Sequence, residues 1–140
     1  MLVNGSQKTF PHEEIRKYGC YFLTLVSWVE HAFGYDFSTE KIIEHFKYCK
    51  LKRWIGANCW IIEPCAIFNF ISERPNYFRF VEHSVIVPYT LRFPCFYDGN
   101  PTHFVLGQRD KLGKVEVIFD GWNPSAGNRG LKITNYRSFR

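Results

Sequence analysis

The sequence predicts an α+β domain, with helices in the first half packed on an antiparallel β-sheet formed by the second half. Apolar residues recur at helical spacing as far as about residue 73. After Arg74-Pro75-Asn76 the pattern changes to short runs of β-branched and aromatic residues, separated by proline and glycine turn signals. Because the helices precede the strands, we expect two packed layers. A length of 140 residues suits a single domain over residues 1–140.

Three helices are predicted from the apolar spacing. The first covers about residues 19–33, and the second begins after Ser38, a residue type that caps helix N-termini. The third covers about residues 59–73, with Pro64 tolerated in its first turn. Residues 1–17 have no clear periodicity and are expected to form an irregular arm.

Six short strands are expected in the second half of the chain. They are Tyr77–Val81, Ser84–Val87, Thr90–Phe96, His103–Gln108, Val115–Asp120 and Leu131–Tyr136. Turn signals at 98–101 and 121–130 separate the later ones.

The composition is that of a globular chain with unusually many aromatic residues. Phe, Trp and Tyr make up 19% of the sequence, which suits either a thick aromatic core or a groove lined by rings. The net charge is +5, and solvated faces explain the basic runs at 47–53 and 129–140, so nucleic-acid binding is not expected. The longest apolar run, residues 59–71, is broken by Glu63 and is too short to span a bilayer.

The cysteine pattern indicates free thiols. The five cysteines, at positions 20, 49, 59, 65 and 95, are odd in number and include no C-x-x-C pair. This argues against a disulfide framework and a structural zinc site, and we expect neither metal nor cofactor. No signal peptide is visible, so a cytoplasmic location is expected, with phage-type release left open.

Cys20 is the candidate nucleophile. It lies at the start of the first predicted helix, just after Gly19, where unpaired backbone N–H groups and the helix dipole favour an anion such as a thiolate. A buried structural thiol is the alternative, because free cysteines are often buried. The other four cysteines fall at core-facing positions and are expected to act as small hydrophobic residues.

His103 and Asp120 are the candidate base and its orienting partner. The segment between them has the form of a hairpin, and a turn centred between Lys111 and Leu112 would place the two side chains opposite each other. The aspartate would then fix the imidazole tautomer and stabilise the imidazolium. A register shifted by one residue would put them on opposite faces. Taken with Cys20, they would complete a nucleophile, a base and an acceptor.

These residues resemble those of the papain-like cysteine peptidases. Gly19-Cys20 heading a helix, His103 opening a strand and Asp120-Gly121-Trp122 closing the next are similar to the bacterial double-glycine-leader peptidase branch and its uncharacterised relatives. The chain also resembles a small family of unknown function encoded on spirochaete plasmids and prophages. The resemblance implies a papain-like fold and acyl transfer from a peptide or peptidoglycan-type substrate.

The same resemblance suggests roles for two further residues. A glutamine upstream of the nucleophile donates to the oxyanion in papain-like enzymes, and Gln7 is the only glutamine before Cys20. Trp122 would either wall the His103–Asp120 pair from water or belong to the core. The bulky pair Tyr21-Phe22 departs from the family, where small residues often follow the cysteine.

Two non-enzymatic alternatives follow from these observations. The bulky residues after Cys20 and the distance of Gln7 along the chain are compatible with an idle binding module on the same fold. The basic runs, together with Trp54, are compatible with nucleic-acid binding, a weaker reading.

Overall fold

The computed structural model describes residues 1–97, 102–122 and 132–140 and has an α+β architecture. Within those residues the chain forms four α-helices: α1 (Glu13–Tyr18), α2 (Cys20–Phe33), α3 (Thr39–Leu51) and α4 (Pro64–Ser72). It also forms five strands: β1 (Val81–Ser84), β2 (Arg92–Tyr97), β3 (His103–Arg109), β4 (Val115–Phe119) and β5 (Ile133–Phe139). The strands make one antiparallel sheet in the order β1-β5-β2-β3-β4. The predicted α+β class is confirmed.

The predicted helices α2 and α3 are confirmed. Helix α2 ends at Gly34, which has a φ of 72°, in the left-handed region that glycine adopts easily. Helix α3 begins after Ser38, whose side chain accepts a hydrogen bond from the Lys41 N–H.

Two helical predictions needed correction. The third predicted helix, α4, begins only at Pro64, because residues 57–59 form a separate 3-10 turn and Ile55 bridges to Ile61. Residues 1–17 are not an irregular arm throughout: Ser6–Thr9 forms a 3-10 turn and α1 follows it. Helix α1 has only six residues, too few for a clear apolar period.

The predicted strands differ from the observed ones mainly at the start of the sheet. The two expected strands at 77–81 and 84–87 are replaced by β1 alone. Phe78 instead pairs its backbone with the side-chain amide of Asn69, and Ser84 caps a turn by accepting from the Ile86 N–H. The predicted turn signal at 98–101 and the 123–130 part of the one at 121–130 lie outside the described residues.

The main core lies between the helices and one face of the sheet. Helix α2 carries much of it and packs against β3 and α4, with Phe22, Leu25 and Val29 fully buried. A second, smaller cluster around Phe93 and Val105 covers the opposite face, as the two-residue alternation of strands requires. Part of the aromatic surplus fills this core. No helix in the described part of the chain is long and apolar enough to cross a membrane.

The predicted hairpin register, with His103 directly opposite Asp120, is wrong. The turn is a three-residue loop closed by Asp110 and Lys114, with Gly113 at a φ of 79°, so strand pairing starts at Arg109 with Val115. This shifts the register by one residue. A bulge then follows, because Gly107 pairs with Val117 whereas Leu106 pairs with Phe119. Because β4 has one extra residue at the bulge, the positions beyond it point to the predicted face of the sheet again. His103 and Asp120 therefore stay on the same face.

Candidate active site

Cys20 is the first residue of α2, as the sequence predicts. Gly19 precedes it and also ends α1, and a Cβ on Gly19 would lie 2.5 Å from the carbonyl oxygen of Ile15. The two helices can therefore meet this closely only because residue 19 is a glycine. No described residue accepts a hydrogen bond from the Cys20 N–H, which stays available at the positive end of α2. The side chain is half-buried.

His103 and Asp120 form a buried hydrogen-bonded pair. The distance from His103 Nε2 to Asp120 Oδ1 is 2.7 Å, and the two side chains are 0% and 2% exposed. Burial by itself lowers the pKa of His103, but the hydrogen bond to Asp120 and the neighbouring Cys20 thiol outweigh it and raise the pKa to about 9. His103 is therefore charged at neutral pH, with an N–H on each ring nitrogen.

The second ring nitrogen of His103 is the one left for Cys20. Nδ1 is buried and completes no hydrogen bond with any described residue. The Cys20 thiol is nevertheless close enough to raise the pKa of His103. The structure thus brings Cys20, His103 and Asp120 together at one site.

Trp122 covers the imidazole. Its ring stacks on that of His103, with centroids 4.3 Å apart and planes inclined by 24°. Its backbone N–H also donates to Asp120 Oδ1 over 2.8 Å. Of the two roles left open by the sequence, a wall beside the His103–Asp120 pair describes this position better than a place in the core, because Trp122 is only half-buried and lines the cleft.

Gln7 reaches the same site through the N-terminal segment. Its side chain is fully buried, and its backbone N–H donates to the Gly121 carbonyl oxygen over 3.1 Å. A Cβ on Gly121 would lie 2.9 Å from Gln7 Cβ, so the glycine makes room for the glutamine. The side-chain Nε2 donates to the Arg16 carbonyl oxygen over 3.3 Å, and its second hydrogen has no acceptor among the described residues.

A cleft of about 900 Å³ opens beside Cys20. Gln7 and Trp122 line it as well. Its other walls are largely aromatic or aliphatic, and they include Tyr18, Tyr21, Trp60, Ile62, Phe80, Phe96 and Phe104. Four of these, Tyr18, Trp60, Ile62 and Phe80, are among the exposed large hydrophobic side chains of the protein. A concave, mostly apolar site with a few polar groups is typical of ligand pockets.

The bulky pair after Cys20 leaves the cleft open. Phe22 is fully buried in the core, and Tyr21 forms a wall by stacking on Phe104, with ring centroids 4.0 Å apart. The two bulky residues are thus accommodated, one in the core and the other in the cleft wall.

The remaining cysteines are buried and free, as expected for small hydrophobic residues. Cys59 and Cys65 also border the cleft, but burial raises their pKa values to about 12 and about 11. Cys49 and Cys95 lie elsewhere, and burial raises the pKa of each to about 12. At neutral pH all four are therefore uncharged thiols.

Sequence reasoning missed the residues that hold the site together from the N-terminal segment. Asn4 Oδ1 accepts from the Asp120 N–H over 2.9 Å, and the Gly5 N–H donates to the Asp120 carbonyl oxygen over 2.9 Å. Glu14 accepts from both the Cys59 N–H and Lys50 Nζ, and so fixes one wall of the cleft. No local pattern marks these contacts, because their partners are 36 to 116 residues away.

No group of three or more His, Cys, Asp or Glu side chains in the described ranges could hold a metal ion.

Comparison with known proteins gives a family but no function. The family described as "Protein of unknown function, DUF261" matches residues 3–140. Searches of curated proteins and of solved structures found no match. Since the match covers nearly the whole chain, this protein belongs to the DUF261 family.

Proposed function

We propose that this protein is a thiol hydrolase of papain-like fold, a peptidase or amidase that uses Cys20, His103 and Asp120. The observation that carries the proposal is the buried His103, bonded to Asp120 on one side and next to the Cys20 thiol on the other. A purely structural histidine needs no carboxylate, no neighbouring thiol at a helix N-terminus and no adjoining cleft. A cysteine hydrolase needs all three.

The proposed reaction follows from the positions of the protons. The Cys20 thiolate attacks a carbonyl carbon in the cleft, and the negative charge that develops on its oxygen is met by the Cys20 N–H and the free N–H of Gln7. His103 gives its Nδ1 proton to the leaving amine as the C–N bond breaks, which leaves a thioester on Cys20. Water then attacks the thioester, His103 takes one of its protons, and the carboxylic acid leaves as the thiolate reforms.

Asp120 has a supporting role in this scheme. Its Oδ1 accepts from His103 Nε2 and from the Trp122 N–H, and both bonds favour the ionised carboxylate. An ionised Asp120 in turn favours the imidazolium. Trp122 keeps water from one face of the imidazole, which strengthens the interaction.

The test is the rate at which iodoacetamide alkylates Cys20 at different pH values. If His103 pairs with a thiolate, labelling of the wild type is already fast at pH 6 and becomes much slower in His103→Ala. Intact mass and peptide mapping locate the label. Because Cys59 and Cys65 border the same cleft, Cys59→Ser and Cys65→Ser serve as controls that leave the rate unchanged. A rate that rises only near pH 8.5 and ignores His103, as in an ordinary cysteine, would refute the hydrolase.

One observation favours a second candidate, a binding module without activity. Gln7 Nε2 already donates one N–H to the Arg16 carbonyl oxygen, so only its second N–H remains to meet an oxyanion. In that case the cleft binds its ligand without turnover. The alkylation experiment separates the two candidates, since a module needs no activated thiol.

A further inference from the structure

Arg137 is a buried cation in the wall of the cleft. It lies on β5, the residue is only 8% exposed, and it lines the same cavity as Cys20. Arginine is almost never fully buried unless it is paired, because taking the charge out of water is costly. Its surroundings therefore require an explanation.

The described contacts of Arg137 are all uncharged. Its guanidinium lies over the rings of Phe96 and Phe104, at 5.3 and 5.2 Å from their centroids. Nη1 donates to the Asn135 side chain and to the Tyr136 carbonyl oxygen. No carboxylate in the described ranges lies within ion-pair distance of it, and nearby Glu82 is paired with Arg140 over 2.7 Å. Most of the five N–H groups of the guanidinium meet no acceptor in the part of the chain that the structure describes.

The other charged side chains that line the cleft are mostly positive as well. Lys17 and Arg79 also line it, whereas Glu63 is the single carboxylate among its described lining residues. Lys17 is already paired with Glu13 over 2.8 Å. Arg137 is therefore the cation that is both buried and without a carboxylate partner in the described structure.

A continuous stack of rings connects Arg137 to the candidate nucleophile. Its guanidinium covers Phe104, Phe104 stacks on Tyr21 at 4.0 Å, and Tyr21 follows Cys20 in the chain. Because Arg137 and Cys20 line the same cavity, one ligand could place an anion at Arg137 and a reacting group at Cys20, with an apolar portion against the rings between them.

We infer that the cleft takes a peptide-like substrate that carries a carboxylate, and that Arg137 binds this carboxylate. The inference rests on the proposed function, because it assigns a substrate class to the same site. A guanidinium suits the task, since its planar fork can hold both oxygens of a carboxylate at once. The carboxylate belongs either to an acidic side chain or to a chain terminus.

The experiment compares three alkylating probes that differ only in whether they carry a carboxylate and where it is. They are chloroacetyl-Phe-Glu amide, chloroacetyl-Phe-Gln amide and chloroacetyl-Phe-Gln free acid, each reacting with the Cys20 thiol by loss of chloride. The wild type is expected to react about tenfold faster with one of the two carboxylate probes than with the neutral amide, as one charge-assisted pair would give. The faster of the two identifies the source of the carboxylate.

Two variants test whether Arg137 causes the preference. Arg137→Gln removes a cation that has no described carboxylate partner, so the fold should tolerate it, and the preference is expected to fall to about one. Arg137→Lys keeps the charge but loses the fork, and should retain part of the preference. Lys17→Gln is the matched control, since it removes one exposed positive charge from the same cleft and should leave the preference intact. Circular dichroism confirms that each variant is folded.

Two results would overturn the inference: equal rates for all three probes in the wild type, or an unchanged preference in folded Arg137→Gln. Neither depends on whether Cys20 is activated, because an ordinary thiol also reacts with these probes at pH 8.5 and the ratio of rates can still be measured there. Failure of the hydrolase proposal would instead appear as iodoacetamide labelling that is indifferent to His103.

Discussion

Two buried histidines of this protein have opposite surroundings. His45, on α3, lies edge-on against Phe37 and Phe70, each with ring centroids 5.3 Å away. Its Nε2 is buried and has no hydrogen-bond partner in the described structure, and burial, followed by the charge of Lys41, lowers its pKa. His103 is buried more completely, yet its pKa is raised to about 9.

The difference shows that burial alone does not decide the charge of a histidine. Around His45 burial and the charge of Lys41 outweigh the smaller opposing effects of Glu44 and Glu73, and the neutral ring is favoured. Around His103 the same penalty is outweighed by the hydrogen bond to Asp120 and by the Cys20 thiol. His45 is thus an example of a structural histidine in this fold. The environment of His103 differs from it and requires a functional explanation.

The largest expected effect comes from removing Asp120, the hydrogen-bonded carboxylate that distinguishes His103 from His45. Asp120→Asn should lower the pKa of His103 from about 9, and should lower the free energy of unfolding at pH 6 by about 3 kcal/mol, because it breaks a buried pair. Urea unfolding and NMR titration of the histidine ring protons measure both. Glu116→Gln, an exposed carboxylate on β4, is the control. A loss below about 1 kcal/mol would contradict this account.

The next effect is on the pH dependence of stability. Because the pKa of His103 in the folded state is about 9, above the value of 6.5 for an ordinary histidine, its contribution is complete below about pH 6.5 and is lost as the pH rises toward 9. The free energy of unfolding should fall by about 2 kcal/mol between pH 6 and pH 8.5. His103→Gln should lack this decrease, and an equal slope in the variant would assign it to other groups.

The smallest effect concerns His45 and has the opposite sign. Its lowered pKa means that its contribution to stability is present above about pH 6.5 and is lost as the pH falls below that value. His45→Phe keeps the aromatic contacts and cannot be protonated. Relative to the wild type, this variant should gain stability as the pH is lowered from 8 to 5, which urea unfolding can measure. A difference that does not change with pH would show that His45 is not protonated on unfolding.

Much of the helical half follows from local sequence. The apolar period of α2, its end at Gly34 and the cap of α3 at Ser38 depend on residues a few positions apart, so periodicity and capping rules suffice. The position of Cys20 at a helix start follows from the same local pattern. The short α1 is the exception, because six residues show too little of a period.

The sheet half of the site shows where local reasoning stops. The sequence identified His103 and Asp120 as partners but gave the wrong register, because the three-residue turn at Gly113 and the bulge opposite Leu106 cannot be read from alternation. The two shifts together keep the side chains within 2.7 Å of each other. The sequence therefore predicts the correct pair of residues, but from an incorrect strand register.

The sequence by itself determined the α+β class, the place of Cys20 at the start of α2 and the strand bearing His103, since each depends on patterns within one element. Only the tertiary structure decided that Asn4 and Gln7 clamp the end of β4, that Trp122 covers the imidazole and that Arg137 is buried in the same cleft as Cys20. The physical reason is distance along the chain. Such contacts join segments as far as 116 residues apart, and they form only when packing and strand register bring those segments together.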